Sequence, residues 1–248
     1  MAMSLPEATR RLDQVDRLVS ASYEQIYAAY QNSEQNSEQN SEQNSEQNEG
    51  LQVQTGFQGM PPALIRICFM NLLAARRSFA TAIDLGCGNG VFALMAAALG
   101  WDSYGIDASE YLIEQAILLR DQLRAAGVIA METRCEFAVG SIYPPESNTA
   151  YEDFVRQHAK NAITMPVGLP TTAYAQLGIT LSAIDVIYAF TWSDQMPFLC
   201  QFLNTQAQEK AVFVLPHYRS VEGKFDEDLR LKSLPNPFPC PIFLGERE

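Results

Sequence analysis

Three glycines at alternate positions follow an aspartate in the stretch Asp84-Leu-Gly86-Cys-Gly88-Asn-Gly90. A short apolar run precedes this stretch, and a longer apolar run with helical character follows it. Glycines at the turn between a strand and a helix let the backbone approach a ligand at distances that side chains would prevent. The pattern therefore predicts a small-molecule site at this turn.

The spacing of these glycines separates the classes of nucleotide ligand. A dinucleotide fingerprint reads G-x-G-x-x-G, but position 91, where its third glycine would stand, is a valine. A phosphate-binding P-loop needs four residues between its glycines and then Lys-Ser or Lys-Thr, which this stretch lacks. The loop thus disfavours both dinucleotides and nucleoside triphosphates.

The stretch closely resembles the first motif of class I S-adenosylmethionine-dependent methyltransferases. The resemblance implies that the backbone of Gly86, Cys87, Gly88 and Gly90 lies against the methionine and ribose parts of that cofactor. It also implies that Asp84 reaches the cofactor's ammonium group, directly or through water. This ligand carries ammonium and sulfonium charges and no phosphate, so a carboxylate beside the loop is favourable.

A second carboxylate, Asp107, ends the next predicted strand, seventeen positions after Gly90. In βαβ nucleotide sites, an acid about 20 residues beyond the glycines accepts hydrogen bonds from ribose hydroxyls. We expect Asp107, with Ala108 beside it, to bind the ribose of the cofactor. Asp107 could instead cap the following helix, although Ser109 is equally placed to do so.

The resemblance is weaker after the third predicted strand, where the chain reads Gly140-Ser141-Ile142. Family members commonly carry an acid here that holds the adenine amino group. Ser141 can accept the same hydrogen bond, and the resemblance places the backbone amide of Ile142 near the adenine ring. A turn residue without contact to the ligand is an equally good interpretation of Ser141.

The methyl acceptor is expected beside the stretch AFTWSDQMP, after the fourth predicted strand. Trp192 could wall the acceptor pocket, Asp194 could orient a donor, and His217 could take a proton from the acceptor. Ordinary packing of a tryptophan and a structural histidine are the alternatives. The stretch lacks the Asn or Asp, Pro-Pro and aromatic pattern of enzymes that methylate amino groups of nucleic acids. No catalytic residue is assigned.

The elements that position these residues follow from alternating hydrophobic patterns. From residue 80 the sequence predicts strand TAIDL, helix VFALMAAAL, strand DSYGID, helix SEYLIEQAILLRDQLRAA and strand CEFAVGSI. Strands AIDVIYAF and KAVFVL follow, with helix MPFLCQFLNTQAQ between them. This order indicates an α/β fold with a doubly wound, mostly parallel sheet. The 33 residues from position 216 are few for a helix and two strands, so we expect a truncated C-terminal edge.

Three segments make up the predicted domain organisation. Residues 1–31 contain an amphipathic helix, because apolar side chains recur at steps of three and four. Residues 32–50 are predicted to be a disordered linker, since four NSEQ repeats offer nothing to bury. Residues 51–248 form the methyltransferase domain. An insertion at about 143–182 is longer than a simple crossover requires, and we expect it to act as a lid.

Composition narrows the possible partners. The formal net charge is −12, from 29 acidic and 17 basic residues, which disfavours nucleic acid as a partner. Five scattered cysteines and two histidines show no metal-ligand spacing, so no metal is expected. Without an apolar stretch of about 20 residues or a signal-peptide pattern, we expect no membrane association and a cytoplasmic location.

These patterns favour an S-adenosylmethionine-dependent methyltransferase that acts on a small-molecule or protein acceptor. One alternative is a binding protein that holds S-adenosylmethionine or S-adenosylhomocysteine without turnover. Another is an aminopropyl transferase that uses the decarboxylated cofactor, although such an enzyme should show more acids near the acceptor. The oligomeric state is not predicted.

Deletion of residues 32–47 should leave the protein's stability and cofactor affinity unchanged. The repeat contains no apolar residue, so its removal should change the melting temperature by less than about 2 °C. Differential scanning calorimetry and isothermal titration calorimetry measure the two quantities. A larger loss in either would mean that the repeat packs on the folded chain.

Overall fold

A seven-stranded sheet with helices on both faces organises the chain. The computed structural model describes residues 3–21, 60–75, 78–158, 169–190, 195–216, 231–234, 237–238 and 242–247. The strands are β1 (Thr81–Leu85), β2 (Asp102–Asp107), β3 (Cys135–Val139), β4 (Val186–Ala189), β5 (Val212–Leu215), β6 (Leu231–Ser233) and β7 (Phe243–Arg247). The helices are α1 (residues 5–21), α2 (Pro62–Ala74), α3 (Val91–Ala98), α4 (Glu110–Ala125), α5 (Pro145–His158), α6 (Ala173–Leu177) and α7 (Met196–Gln206).

The order of strands across the sheet is β3-β2-β1-β4-β5-β7-β6. Strands β1 to β5 pair in parallel, which confirms the doubly wound α/β prediction. The order reverses at β1, which has β2 on one side and β4 on the other. Leu85 ends β1 in register with Ile106 and Ala189, so the three carboxyl ends meet at one edge. Ligands of such sheets bind at this switch point.

The C-terminal edge of the sheet is complete, and the expectation of a truncated edge is wrong. Strand β7 inserts antiparallel between β5 and β6, pairing Phe213 with Gly245 and Ser233 with Gly245 from its other side. Strand β6 has only three residues, Leu231–Ser233. The edge therefore needs less chain than two strands of ordinary length would take.

Strands β3, β4 and β5 are all shorter than the sequence suggested. Strand β3 ends at Val139 because the chain turns away at Gly140, and the next amide, of Ser141, donates to the carbonyl of Pro170 at 2.8 Å. Strand β4 begins at Val186, since a 3₁₀ turn occupies Leu181–Ala183. Hydrophobic pattern alone does not distinguish these flanking residues from the strands.

The described residues of the segment between β3 and β4 build part of the core. Tyr143, Tyr151, Tyr174 and Leu177 are all buried against apolar side chains of the sheet and of α7. The Tyr143 ring lies 5.0 Å from the Phe198 ring, centroid to centroid, in an edge-on arrangement. The apolar side chains of this segment therefore cover one face of the sheet.

Helix α1 covers the other face together with α2, α3 and α4. Its buried side chains, Ala8, Leu12, Val15 and Val19, recur at helical spacing. Arg11 donates to the carbonyls of Ala98 and Val128 at 3.3 and 3.5 Å. The helix is thus packed on the main domain. Residues 32–50 lie outside the described part of the chain, and no described helix is long and apolar enough to cross a membrane.

Replacing Leu12 with alanine should destabilise the protein through α1. Leu12 is fully buried, and truncation of such a side chain costs about 2–5 kcal/mol of unfolding free energy. Leu5, on the same helix but 51% exposed, provides a matched control whose alanine variant should stay within about 0.5 kcal/mol. Urea denaturation measures both. Equal effects at the two positions would mean that α1 does not dock as described.

Candidate cofactor site

The glycine loop joins β1 to α3 at the carboxyl edge of the sheet. Gly86, Gly88 and Gly90 have φ angles of 80°, 53° and 78°, in the left-handed region where other residues are strained. The amides of Gly86 and Cys87 both donate to the carbonyl of Ile106, at 2.9 and 3.0 Å. The loop is therefore anchored to the end of β2, and the backbone conformation at these three positions favours glycine.

A phenylalanine that the sequence analysis did not single out packs across this loop. A methyl group added at Gly90 would lie 2.6 Å from Cε1 of Phe137, and one at Gly105 would lie 2.5 Å from its Cδ1. The ring of Phe137, on β3, thus covers glycines on two neighbouring segments. No short-range motif predicts this contact, because the three residues are far apart in the chain.

Asp107 connects the loop to the start of α4. Its Oδ2 accepts from the amide of Gly88 at 2.8 Å, and its Oδ1 accepts from the amide of Ser109 at 2.9 Å. Ser109 itself caps α4, since its hydroxyl accepts from the amide of Leu112. Burial raises the pKa of Asp107, while the amides of Ser109, Gly88 and Ala108 lower it. Each carboxylate oxygen keeps a second lone pair with which to accept from a ligand.

The carboxylate of Asp84 is buried, and its hydrogen bonds to the described residues are incomplete. The residue is 2% exposed, and its Oδ1 has no partner among the residues that the structure describes. Burial and the negative charge of Asp107 raise its pKa well above the ordinary value, while the amides of Ala93 and Phe92 lower it. A buried carboxylate oxygen without a partner is costly, so the site is suited to a cationic ligand.

Cys87 contributes backbone to the loop, and its thiol is inert. Burial, with the charges of Asp107 and Asp84, raises the pKa of the Cys87 thiol well above its usual value. The thiol is therefore protonated at neutral pH and is a weak nucleophile. This agrees with the expectation that only its main chain borders the ligand.

The predicted adenine-binding residues lie where β3 leaves the sheet. The Ser141 hydroxyl donates to Oδ1 of Asn148 at 3.0 Å and accepts from the amide of Tyr143 at 3.1 Å. Ile142 is half-buried, and its carbonyl accepts from the hydroxyl of Tyr174 at 2.7 Å. These bonds match the turn interpretation of Ser141, which retains one lone pair for an adenine amino group.

Three of the predicted acceptor-site residues, Trp192, Asp194 and His217, lie outside the described part of the chain. Phe190, which precedes them, is described, and a methyl group on Gly86 would lie 3.4 Å from its carbonyl oxygen. The chain that leads to Trp192 and Asp194 therefore passes beside the glycine loop. Their role as acceptor-pocket residues remains a prediction.

The described residues offer no metal site, because they contain no group of three His, Cys, Asp or Glu side chains able to hold a metal ion. An open cavity of about 360 Å³ lies near the opposite edge of the sheet, lined by Thr81, Tyr104, Tyr174 and Ile184 among others. Among the described residues, the glycine loop and its two acids are therefore the candidate site at the carboxyl edge.

A comparison with known protein families shows what the glycine loop and its two acids are similar to. Residues 83–155 match a family model described as a methyltransferase domain. Residues 83–155 thus carry a methyltransferase domain, as the motif resemblance predicted. The matched residues include the whole glycine loop, both acids and the exit from β3. Enzymes of this class use S-adenosylmethionine as the methyl donor, as the sequence motif predicted. A comparison with curated proteins gives no match.

Several solved structures are similar to this methyltransferase domain in fold. An RNA methyltransferase from Salinibacter ruber in complex with S-adenosyl-L-homocysteine is 16% identical, with 64% of this chain and 76% of that chain covered and a TM-score of 0.40. A ribosomal protein L11 methylase from Lactobacillus delbrueckii subsp. bulgaricus is 13% identical, with 82% and 91% covered and a TM-score of 0.47. A methyltransferase from Agrobacterium tumefaciens is 16% identical, with 63% and 44% covered and a TM-score of 0.39.

These neighbours differ in length and in described activity. This chain covers less than half of the Agrobacterium protein's length. One neighbour is described as an RNA methyltransferase and another as a ribosomal protein methylase.

The residues present fit the charge pattern of S-adenosylmethionine. The unpartnered Oδ1 of Asp84 is an acceptor for an ammonium group, and Asp107 is an acceptor for hydroxyl groups. Burial and the negative charge of Asp107 raise the pKa of Asp84, and the cationic ligand would offset this negative charge. The backbone of the loop glycines, which carry no side chains, supplies the surface between Asp84 and Asp107.

Replacing Gly90 with alanine should lower the free energy of unfolding by more than the strain of the left-handed backbone alone would. Strain at a positive φ costs about 1–2 kcal/mol, and the clash with Phe137 should add about 1–3 kcal/mol. Gly127 is the control, because its φ is +68° and a methyl group there meets nothing within 4 Å. Chemical denaturation compares the two alanine variants. Equal losses would contradict the packing of Phe137 on Gly90.

Replacing Asp107 with alanine should weaken cofactor binding by about 1.5–3 kcal/mol and also lower stability, because two backbone amides lose their acceptor. Asp102, at the other end of β2, accepts from the amide of Arg134 at 3.1 Å and serves as the control. Its alanine variant should lose stability but keep cofactor affinity in calorimetric titration. Unchanged affinity in a folded Asp107→Ala protein would exclude its contact with the ribose.

Proposed function

We propose that this methyltransferase transfers the sulfonium methyl group of S-adenosylmethionine to a nucleophile on a small molecule or a protein, by in-line displacement. The buried Oδ1 of Asp84, which has no partner among the described residues, carries the proposal together with the three left-handed glycines of the loop. Such an oxygen favours a cation, and the bound cofactor supplies an electrophilic methyl group. The protein then contributes chiefly by positioning the two reactants and by its fixed charges.

Each cofactor-site residue has a proposed part in this positioning. The backbone of Gly86, Cys87, Gly88 and Gly90 borders the methionine and ribose, and Asp84 receives the ammonium group. Asp107, beside Ala108, accepts from the ribose hydroxyls. Ser141 and the amide of Ile142 border the adenine, where β3 leaves the sheet. We assign Trp192, Asp194 and His217 to the acceptor pocket, and no residue to acid or base catalysis.

The acceptor class rests on charge. A formal net charge of −12 repels a phosphate backbone, so a small molecule or a protein is favoured over nucleic acid. The described cysteines, Cys68, Cys87, Cys135 and Cys200, form no disulfide with one another, which fits a reducing compartment. We therefore place the reaction in the cytoplasm.

Calorimetric titration with S-adenosylmethionine, S-adenosylhomocysteine and NAD in parallel tests the cofactor. Binding of the first two ligands without NAD supports the proposal, whereas binding of NAD alone would overturn it. Formation of S-adenosylhomocysteine with separate small-molecule, protein and RNA fractions then tests the acceptor class. Turnover with RNA alone would refute the acceptor assignment.

The pH dependence of binding gives an independent check on Asp84. An ammonium group favours ionised Asp84, so binding releases a proton from the carboxyl whose pKa burial has raised. Affinity for S-adenosylmethionine should therefore increase as pH rises through that pKa and then level off. Asp84→Asn should bind more weakly and lose this dependence. An unchanged pH profile in the variant would remove Asp84 from the ammonium site.

A further inference from the structure

An open cavity of about 360 Å³ lies beside α6, away from the glycine loop. Its walls are Thr81 at the start of β1, Tyr104 on β2, and residues between 174 and 184, from α6 to the approach to β4. Strands β1 and β4 both begin here, so the cavity lies at the amino edge of the sheet. Pockets that bind small molecules typically have volumes of about 300–1,000 Å³, so this one, the α6 cavity, can hold a small ligand.

Tyr104 gives the α6 cavity a hydroxyl group that the protein itself does not use. The residue is 4% exposed, and its hydroxyl has no hydrogen-bond partner among the residues that the structure describes. Arg134 lies over the ring, with 5.2 Å between its Cζ and the ring centroid, but its guanidinium donates to Glu136 and to the carbonyl of Leu177. Burial raises the pKa of the Tyr104 hydroxyl, and Arg134 lowers it less. The hydroxyl therefore keeps its proton at neutral pH and can donate a hydrogen bond.

Three other hydroxyl groups line the cavity, and each already has a partner within the protein. Those of Tyr174, Thr81 and Thr180 pair with the carbonyl of Ile142, the carbonyl of Ala183 and the hydroxyl of Ser182, at 2.7, 3.1 and 3.0 Å. Among the described residues that line the cavity, the hydroxyl of Tyr104 is therefore the unpaired one. Because the cavity is open, this hydroxyl is left to solvent or to a ligand that enters.

The walls of the cavity define the chemistry of such a ligand. None of the lining residues carries a formal charge, so an ionised group would lose its hydration there without gaining a partner. The two tyrosine rings favour an aromatic ligand, since aromatic rings gain from edge-on and offset contacts beyond apolar burial. The remaining walls are mainly apolar and include the side chains of Ala175, Ile179, Ala183 and Ile184.

We propose that the α6 cavity is a second ligand site, which binds a small uncharged aromatic molecule through a hydrogen bond from the Tyr104 hydroxyl to an acceptor on that molecule. The ring of the ligand packs against the apolar walls, and its acceptor takes the place of solvent at Tyr104. No residue of the glycine loop lines this cavity, so the proposal is independent of the cofactor.

Titrations with three small probes, followed by NMR, test this proposal. Acetophenone has an aromatic ring and a carbonyl acceptor, ethylbenzene is similar in size but lacks the acceptor, and benzoate carries a charge. Wild-type protein should bind acetophenone saturably, about three- to tenfold more tightly than ethylbenzene, and benzoate more weakly than acetophenone. Tyr104→Phe should lose the preference for acetophenone over ethylbenzene. Tyr174→Phe is the control, since its hydroxyl already donates to Ile142, and it should keep the preference.

A variant that fills the cavity tests where the probe binds. Ala183 is an exposed residue of the wall, so Ala183→Phe should lower the affinity for acetophenone at least about tenfold. Ala150→Phe, at an exposed position on α5, should leave this affinity within about twofold. If Ala183→Phe does not fold, Ala175→Phe, exposed on α6, fills the same space.

Three results would each overturn the proposal. The first is unchanged affinity for acetophenone in the folded variant that fills the cavity, and the second is a preference for acetophenone that survives in Tyr104→Phe. The third is the absence of saturable binding of acetophenone to wild-type protein. None of these results bears on the proposed methyl transfer, because the titrations contain no cofactor.

Discussion

The carboxylate of Asp107 is the contact on which the geometry of the site depends. One oxygen holds the amide of Gly88 and the other holds the amide of Ser109, so a single side chain joins β2, the glycine loop and α4. The main-chain bonds from Gly86 and Cys87 to Ile106 strengthen the same junction. The loop is thus set in place by the protein before any ligand contributes, which reduces the ordering cost of binding.

The buried carboxylates of Asp84 and Asp107 bring negative charge close together at this junction, where little water reaches them. Burial and Asp107 both raise the pKa of Asp84, and only the amides at the start of α3 oppose them. The ligand-free site is therefore electrostatically unfavourable, and a cation relieves it. Under the proposed function, this difference between the two states favours a sulfonium and ammonium ligand over a phosphate-bearing one.

Local patterns predicted most of the site, because its residues are close in sequence. The strands β1 and β2, the loop, Asp107 and the cap at Ser109 each follow from short-range rules of turn and cap chemistry. The complete sheet edge was not predictable in this way, since β7 enters antiparallel between strands that precede it in the chain. The role of Tyr143 and Tyr174 in the core was missed for a similar reason, because apolar residues in a long connection suit a lid and a core equally. Phe137 was missed because its partners are brought near only by the pairing of β2 with β3.

The packing of Phe137 makes three distant positions depend on one another. Its ring fills the space that side chains at Gly90 and Gly105 would need, so a larger residue at either glycine requires a smaller one at position 137. A small residue at position 137 in turn leaves a void beneath the glycine loop. Among relatives with this sheet, these positions should therefore covary. An alanine at position 105 should accompany a side chain smaller than phenylalanine on β3.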